Sequence, residues 1–526
     1  MLFNSYVFLF GFLPTLYVLY RLVVGTRWAP LAPLLFLGFS LIFYGWHRPE
    51  YLLLVLASVA VNYLLCEQMD RPAIKTRPPL RRAVMIGVVL FNLALLGYFK
   101  YAGFFLDEIE RLSGWTTSFE QMALPLAISF FTFQQIGYAV DIYVGRAHKV
   151  GFLKYFLFVL FFPQLIAGPI CRGSELMPQL RRLGVRRREA ENLVVGLTVI
   201  AIGLFKKTVI ADSIGGETDR LFALASNGGS VDLLAGWAAA LCFTFQIYFD
   251  FSGYSDIALG LARLFGIRLP INFFSPYKAH NISDFWRRWH ITLSRFLRDH
   301  IYIPLGGNRA SEARTLANLV TVMVLGGLWH GAGWTFVLWG ATHGGYLAVN
   351  HLWRRSAVGR RVAALPGARI GSIALTFLTV VVAWVLFRAE TTDQALAIYR
   401  GMLGVNGIDV PWRIAELLGI GGADGFLRSR YISATETVQL WAQIGALTAF
   451  VWLAPNTYQL VGRGRFIQTY SRTPWDWAAP SGRAPLGGAG LRLHPTLSTG
   501  LLAGALFAIA SLAILSGGEE FLYFEF

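Results

Sequence analysis

Apolar residues in this 526-residue chain come in long blocks separated by short polar connections. Residues 4–24, 29–46, 50–66, 83–100, 122–144, 193–211, 233–251, 333–352, 370–388, 437–455 and 496–516 are each predominantly apolar. Most approach the roughly 20 residues with which a helix crosses about 30 Å of hydrocarbon. The shortest suit tilted partners or buried half-helices. No long polar domain lies between the blocks. The pattern predicts an all-α, polytopic transmembrane protein, one membrane-embedded unit over residues 1–526.

Two places depart from simple crossings. The apolar stretch 152–170 is broken by Pro163, Gly168 and Pro169 and has basic loops on both sides, which predicts a re-entrant hairpin. Irregular backbone survives at membrane depth only where protein or a wet cavity surrounds it. The run 316–330 and the block 333–352 are separated by little more than the His330–Ala332 turn, so this pair reads as a hairpin with its turn in or near the membrane. Counting such half-crossings gives about 11–13 membrane segments.

Charge orients the blocks. The chain carries 46 Lys and Arg against 30 Asp and Glu, a net +16, yet charged residues make up only 14% of it. The basic residues gather in alternate connections: Arg71 to Arg82, Arg146 to Lys154, Arg354 to Arg369, and Arg463 to Arg492. Acidic residues favour the others, at Asp107 to Glu110, Glu217 and Asp219, Glu390 and Asp393, and Glu519 and Glu520. This is the positive-inside bias of a multi-pass protein, and attraction to anionic lipid accounts for the excess without nucleic acid. It puts both termini outside. The first block lacks the basic lead and small-residue cleavage site of a secretory signal, so it reads as a retained span. Cys66, Cys171 and Cys242 are scattered without the spacing of a disulfide framework or a metal site.

Ionisable groups inside hydrocarbon are costly and mark cavities or partners. Segment 241–260, LCFTFQIYFDFSGYSDIALG, sets Gln246, Asp250 and Asp256 at the inner end of an aromatic helix. A capped helix end near the headgroups and a functional network compete as readings. They stand even for Asp256, while Asp250 leans toward function. In ISDFWRRWHITLSRFLRDHIYIPLGG, helical period places Phe285, Trp286, Trp289, Leu293, Phe296 and Leu297 on one face and Asp284, Arg287, Arg288, Arg295 and Arg298 on the other. That predicts a helix lying in the membrane interface, with His290 on its apolar side. His330 sits at the hairpin turn amid Gly326, Gly327, Gly331 and Gly333. Imidazole is the side chain best suited to take and return a proton near neutral pH. A hydrogen-bonded link between helices, a proton-coupled transporter and a non-catalytic export scaffold also accommodate such histidines, and composition does not choose among them.

The runs YFDFSGYSDIALG, NFFSPY, ISDFWRRWHITLSRFLRDHIYIPLGGNR and GGLWHG occur in this order. They resemble the membrane-bound O-acyltransferase family, and within it the bacterial alginate O-acetyltransferase branch that also holds teichoic-acid D-alanyl transfer proteins. The likeness is dense over about residues 125–350. It implies helices around a central funnel or tunnel in a bacterial inner membrane, with an acyl donor on the cytoplasmic side. It implies that His330 is the family's defining histidine and His290 its second; Asp250 and Gln246, from the residue reading, are candidate supporting polar groups. The donor expected from the family is acetyl-CoA, with no cofactor permanently bound; no CoA-binding signature is readable. A periplasmic SGNH-type esterase partner would finish the transfer. The terminal FLYFEF resembles the aromatic tail of this branch, in which a tyrosine, here Tyr523, would carry the acyl group outward. The acceptor expected is alginate, with cellulose, another exopolysaccharide, peptidoglycan or D-alanyl transfer as alternatives.

Overall fold

The computed structural model describes residues 1–46, 48–116, 123–166, 168–186, 188–226, 229–309, 311–417, 419, 427–430, 433–461, 496–515 and 521–522. Helices dominate. Six are long and apolar enough to cross a membrane: Glu50–Met69, Pro78–Ser113, Glu189–Ser226, Leu233–Leu264, Ala368–Arg388 and Leu497–Leu515. Val7–Val23 and Ala29–Gly45 are shorter apolar helices. The protein is thus helical and polytopic, as the apolar blocks predict. The β structure among the described residues is a two-stranded parallel pair, Ile408–Pro411 with Leu427–Arg430. Four-residue strands are too short for a period-2 pattern to stand out in the sequence. Tyr523, Glu519, Glu520 and the basic connection Arg463 to Arg492 lie outside the described residues.

The Leu233–Leu264 helix is the axis of the bundle. Asp232 starts it by accepting hydrogen bonds from the amides of Leu234 and Ala235, which satisfies two of the orphan donors at a helix N-terminus. Nearly every residue from Gly236 onward is buried, as expected of a helix surrounded by others rather than by lipid. The sequence sets Asp250 and Asp256 at the inner end of this helix, with a capped end near the headgroups as one of two readings. The structure corrects that: the helix runs on to Leu264, and both carboxylates lie well inside the bundle, each 1% exposed. The apolar run stops at Ser252 because buried polar residues follow it, not because the helix ends.

The interfacial helix expected around Trp286 to Arg298 is also corrected. The chain forms a short helix, Ile282–Trp286, turns through residues 287–290, and resumes as Ile291–Leu297. His290 occupies the turn with φ of +39°, a left-handed conformation that costs a residue with a Cβ about 1–2 kcal/mol. Trp289 faces no lipid; it is buried 4.9 Å from Trp384 and 5.0 Å from Phe273. Tryptophan and arginine separate onto two faces whether such a segment is continuous or broken, so periodicity alone did not reveal the turn.

The two expected irregular segments match the structure. Residues 152–165 form two short helices, Phe152–Leu160 and Phe162–Leu165, enclosed by protein from Tyr155 onward. Glu312–His330 and Trp334–Arg355 form the hairpin. Their backbones touch: a Cβ on Gly327 would lie 2.2 Å from the Phe336 carbonyl oxygen, and one on Gly340 would lie 2.4 Å from that of Met323. Only glycine permits this approach.

Candidate active site

The hairpin and the broken segment bring the two sequence-identified histidines together. Both are buried, and their ring centroids stand 6.5 Å apart. His330 is the last residue of the Glu312–His330 helix, and its ring meets Trp329 at 4.9 Å, Phe387 at 5.1 Å and Trp339 at 5.2 Å. Trp339 stacks in turn on Trp384 at 5.8 Å. This aromatic wall fixes the imidazole by packing.

A hydrogen-bond chain fixes His290. Its Nδ1 lies 3.1 Å from Asn272 Oδ1. The same oxygen accepts the Thr292 amide at 3.3 Å and the Thr292 hydroxyl at 2.9 Å, and the hydroxyl accepts the Ile170 amide at 3.0 Å. A backbone N–H can only donate, so the Asn272 atom facing Thr292 is the oxygen. His290 Nδ1 must then carry the proton, which leaves the lone pair on Nε2. Asn272 opens the NFFSPY run and Ile170 belongs to the broken segment, so three distant parts of the chain hold one tautomer.

Lys100, which the sequence reading passed over, completes the hairpin end. Its Nζ donates to the Trp329 and His330 carbonyls at 2.7 and 2.8 Å, and the neighbouring Tyr101 hydroxyl donates to the Leu328 carbonyl at 2.7 Å. A helix leaves its last carbonyls without intrahelical donors, and a cation suits the negative end of its dipole. The available signal was a lysine near the end of an apolar block, a costly placement that by itself suggests a site. His343, also passed over, is buried nearby and its Nδ1 lies 3.3 Å from the Trp286 indole nitrogen.

Two small chambers lie near the pair, the first lined by His330 and the second by neither of the two histidines. One of about 80 Å³ is lined by Lys100, Trp329, His330, Ile166 and residues 124–130. Another of about 20 Å³ is lined by Ile170, Thr292, Arg295, Phe296 and His300, among others. A water centre needs roughly 10–15 Å³, so the first holds several waters or a small acyl group and the second about one water.

Asp250 belongs to a separate buried cluster. Lys207 Nζ lies 2.8 Å from Asp250 Oδ1 and 2.7 Å from Asp212 Oδ1. Asp250 Oδ2 accepts the amide of Leu522 at 3.2 Å, which ties the last described residues of the chain into the interior. The adjoining Phe521 ring stacks on Tyr254 at 4.3 Å and leans on Phe251 at 5.8 Å. Phe251 meets the His290 ring edge-on at 4.8 Å. The other side of this aromatic group is taken by Phe3, stacked on Tyr254 at 4.7 Å. Gln246, one turn before Asp250, is buried, and its Oε1 accepts no hydrogen bond among the described residues, so no such bond ties it to either histidine. Asp256 is a fastening point: it receives Lys206 at 2.6 Å, Thr457 at 2.6 Å and Tyr458 at 3.1 Å.

Comparison with known proteins gives the family. Residues 143–358 match the model of the MBOAT, membrane-bound O-acyltransferase family, a stretch that contains both histidines. The chain is 42% identical over 439 residues to a peptidoglycan O-acetyltransferase of Helicobacter pylori, covering 78% of this chain and 81% of that one. It is 40% identical over 425 residues to a protein of Pseudomonas aeruginosa named "probable alginate O-acetylase", covering 79% and 77%. A teichoic acid D-alanyltransferase of Streptococcus thermophilus is 30% identical over 239 residues, covering 44% and 57%.

Proposed function

Because the chain belongs to the membrane-bound O-acyltransferase family, we propose that it moves acetyl groups from a cytoplasmic donor across the bacterial inner membrane for O-acetylation of an exported polysaccharide. The observation that carries the proposal is the buried His290–His330 pair, with a chamber opening beside His330. In this reaction His330 takes the proton of the accepting hydroxyl as its oxygen attacks the acetyl thioester carbonyl. The C–O bond forms, the C–S bond breaks, and the departing thiolate recovers the proton from the imidazolium. His290, held in one tautomer by Asn272, orients the donor or assists that return. The donor is acetyl-CoA. The first acceptor is the Tyr523 hydroxyl, and a periplasmic SGNH-type partner passes the acetyl group to the polymer.

Alginate is the acceptor that fits the Pseudomonas likeness. Peptidoglycan is a second reading, favoured by the Helicobacter likeness at 42% against 40%. Ester-linked acetate assayed separately in secreted polysaccharide and in the cell wall of a deletion strain distinguishes them.

His330→Ala and His330→Gln test the mechanism. Each is expected to lower polymer acetylation by about 10²-fold or more, the usual contribution of a general base, while membrane insertion and protein level stay normal. Glutamine fills the space but cannot accept the proton. Wild-type acetylation by His330→Gln overturns the assignment.

A further inference from the structure

A cavity of about 750 Å³ lies far from the histidines, where the Leu233–Leu264 helix ends and the Glu189–Ser226 helix begins. Its walls carry the guanidinium groups of Arg21, Arg182, Arg188, Arg263 and Arg268 and one carboxylate, that of Glu189. Glu189 is already ion-paired with Arg21 and with Arg186. The neighbouring Glu191 serves both Arg188 and Arg263, at 3.5 and 3.3 Å. Positive charge therefore exceeds negative charge in this space.

Arg263 is the telling residue. Its side chain is 3% exposed, its single acidic contact is long, and its Nε has no hydrogen-bond partner among the described residues. A buried guanidinium with an unfilled donor is costly until an acceptor arrives. Phosphate oxygens match the planar donor fork of arginine.

Height in the membrane selects the kind of phosphate. Arg21 stands in the last turn of the Leu13–Val23 helix, which exposes Val18 and Leu19 just before it and Leu22 just after it. Glu189 opens the helix that exposes Val194 and Leu197 one to two turns later. The guanidinium groups thus sit where lipid-facing surface ends, at headgroup level. The cavity shares no lining residue with the chambers beside the histidines. Arg263 is twelve residues along the axis helix from Phe251, about 18 Å at 1.5 Å per residue. We propose that this cavity is a resident site for an anionic phospholipid, whose headgroup phosphate is held by Arg263, Arg268 and Arg182. Basic pockets between helix ends on the positive face are suited to cardiolipin-type headgroups.

The test uses the purified full chain, delipidated in detergent and exposed to mixed micelles of phosphatidylcholine with phosphatidylglycerol or cardiolipin, and read by native mass spectrometry. The wild type is expected to retain the anionic lipid in preference to phosphatidylcholine. Arg263→Gln is expected to bind it about tenfold more weakly, the effect of losing charged hydrogen bonds. The double variant Arg182→Gln, Arg268→Gln removes two less buried groups and is expected to show the same loss at an unchanged unfolding temperature. Equal retention by the wild type and the double variant overturns the proposal. So does displacement of the lipid by free CoA, which would make the cavity a donor site.

Discussion

Lys100 directs two of its three N–H groups at consecutive carbonyls, and one of them belongs to His330 itself. Lys100→Met keeps the length and apolar stem but leaves both carbonyls without that donor, at about 1–3 kcal/mol for each unsatisfied buried group. Polymer acetylation is expected to fall at least tenfold, with a lower unfolding temperature; Lys100→Arg should restore part of both. Unchanged acetylation and stability in the Met variant would contradict this role. Tyr523 makes a sharper comparison, since a phenol with a pKa of about 10 reacts poorly without a base. Tyr523→Phe removes one oxygen and is expected to abolish acetylation of the polymer while leaving the protein folded. In the wild-type chain, acetyl trapped on Tyr523 should be seen by mass spectrometry in a strain lacking the partner. Full acetylation by the Phe variant would reduce the tail to an anchor. His330 stood out in the sequence because imidazole in an apolar, glycine-rich turn has no lipid-facing use, whereas His290 was singled out by the family resemblance. Asn272 was not, since one amide in NFFSPY gives no sign that its oxygen will face an imidazole eighteen residues later.

Helices that widen by one residue aim several of these groups. Gly97–Tyr101 and Phe205–Ala211 are π-helical turns within the long Pro78–Ser113 and Glu189–Ser226 helices, and they carry Lys100 and Tyr101, and Lys206 and Lys207. An inserted residue rotates everything beyond it, which is why such turns recur at functional sites. A reading based on 3.6-residue periodicity cannot foresee them, so the buried lysines escaped notice although their blocks were found. The hairpin was legible for the opposite reason: Gly326, Gly327, Gly331 and Gly333 announce close approach in the sequence itself. Its geometry makes a direct prediction. Gly340→Leu drives a side chain into the Met323 carbonyl, 2.4 Å from the new Cβ, and should force the two helices apart. The expected cost is about 1–3 kcal/mol or more, read as a lower unfolding temperature, with acetylation falling because His330 ends one of the displaced helices. Equal stability would mean that the helices separate freely.

Over the whole molecule, charge and embedding were read from composition, whereas the enclosure of one axis helix by the others was not. The alternation of basic and acidic connections gives a topology that labelling checks directly. A cysteine at Thr391, in an exposed turn, is expected to react with an impermeant thiol reagent added from the periplasm, and one at Ser356 is not. Reversed labelling would invert the orientation and remove the cytoplasmic donor. The two faces of the Tyr254 ring have a consequence of a different kind. One is covered by Phe3 and the other by Phe521, so the aromatic layer beside His290 draws on both extremes of the sequence. During synthesis Phe3 and Tyr254 leave the ribosome long before Phe521 does. The interior must therefore wait, open on one side, until the segment carrying Phe521 has been made. An insertase or a folding helper would meet a bundle whose spans are already in the bilayer but whose layer beside His290 is still unsealed, and that layer would close only as Phe521 and Leu522 fold inward.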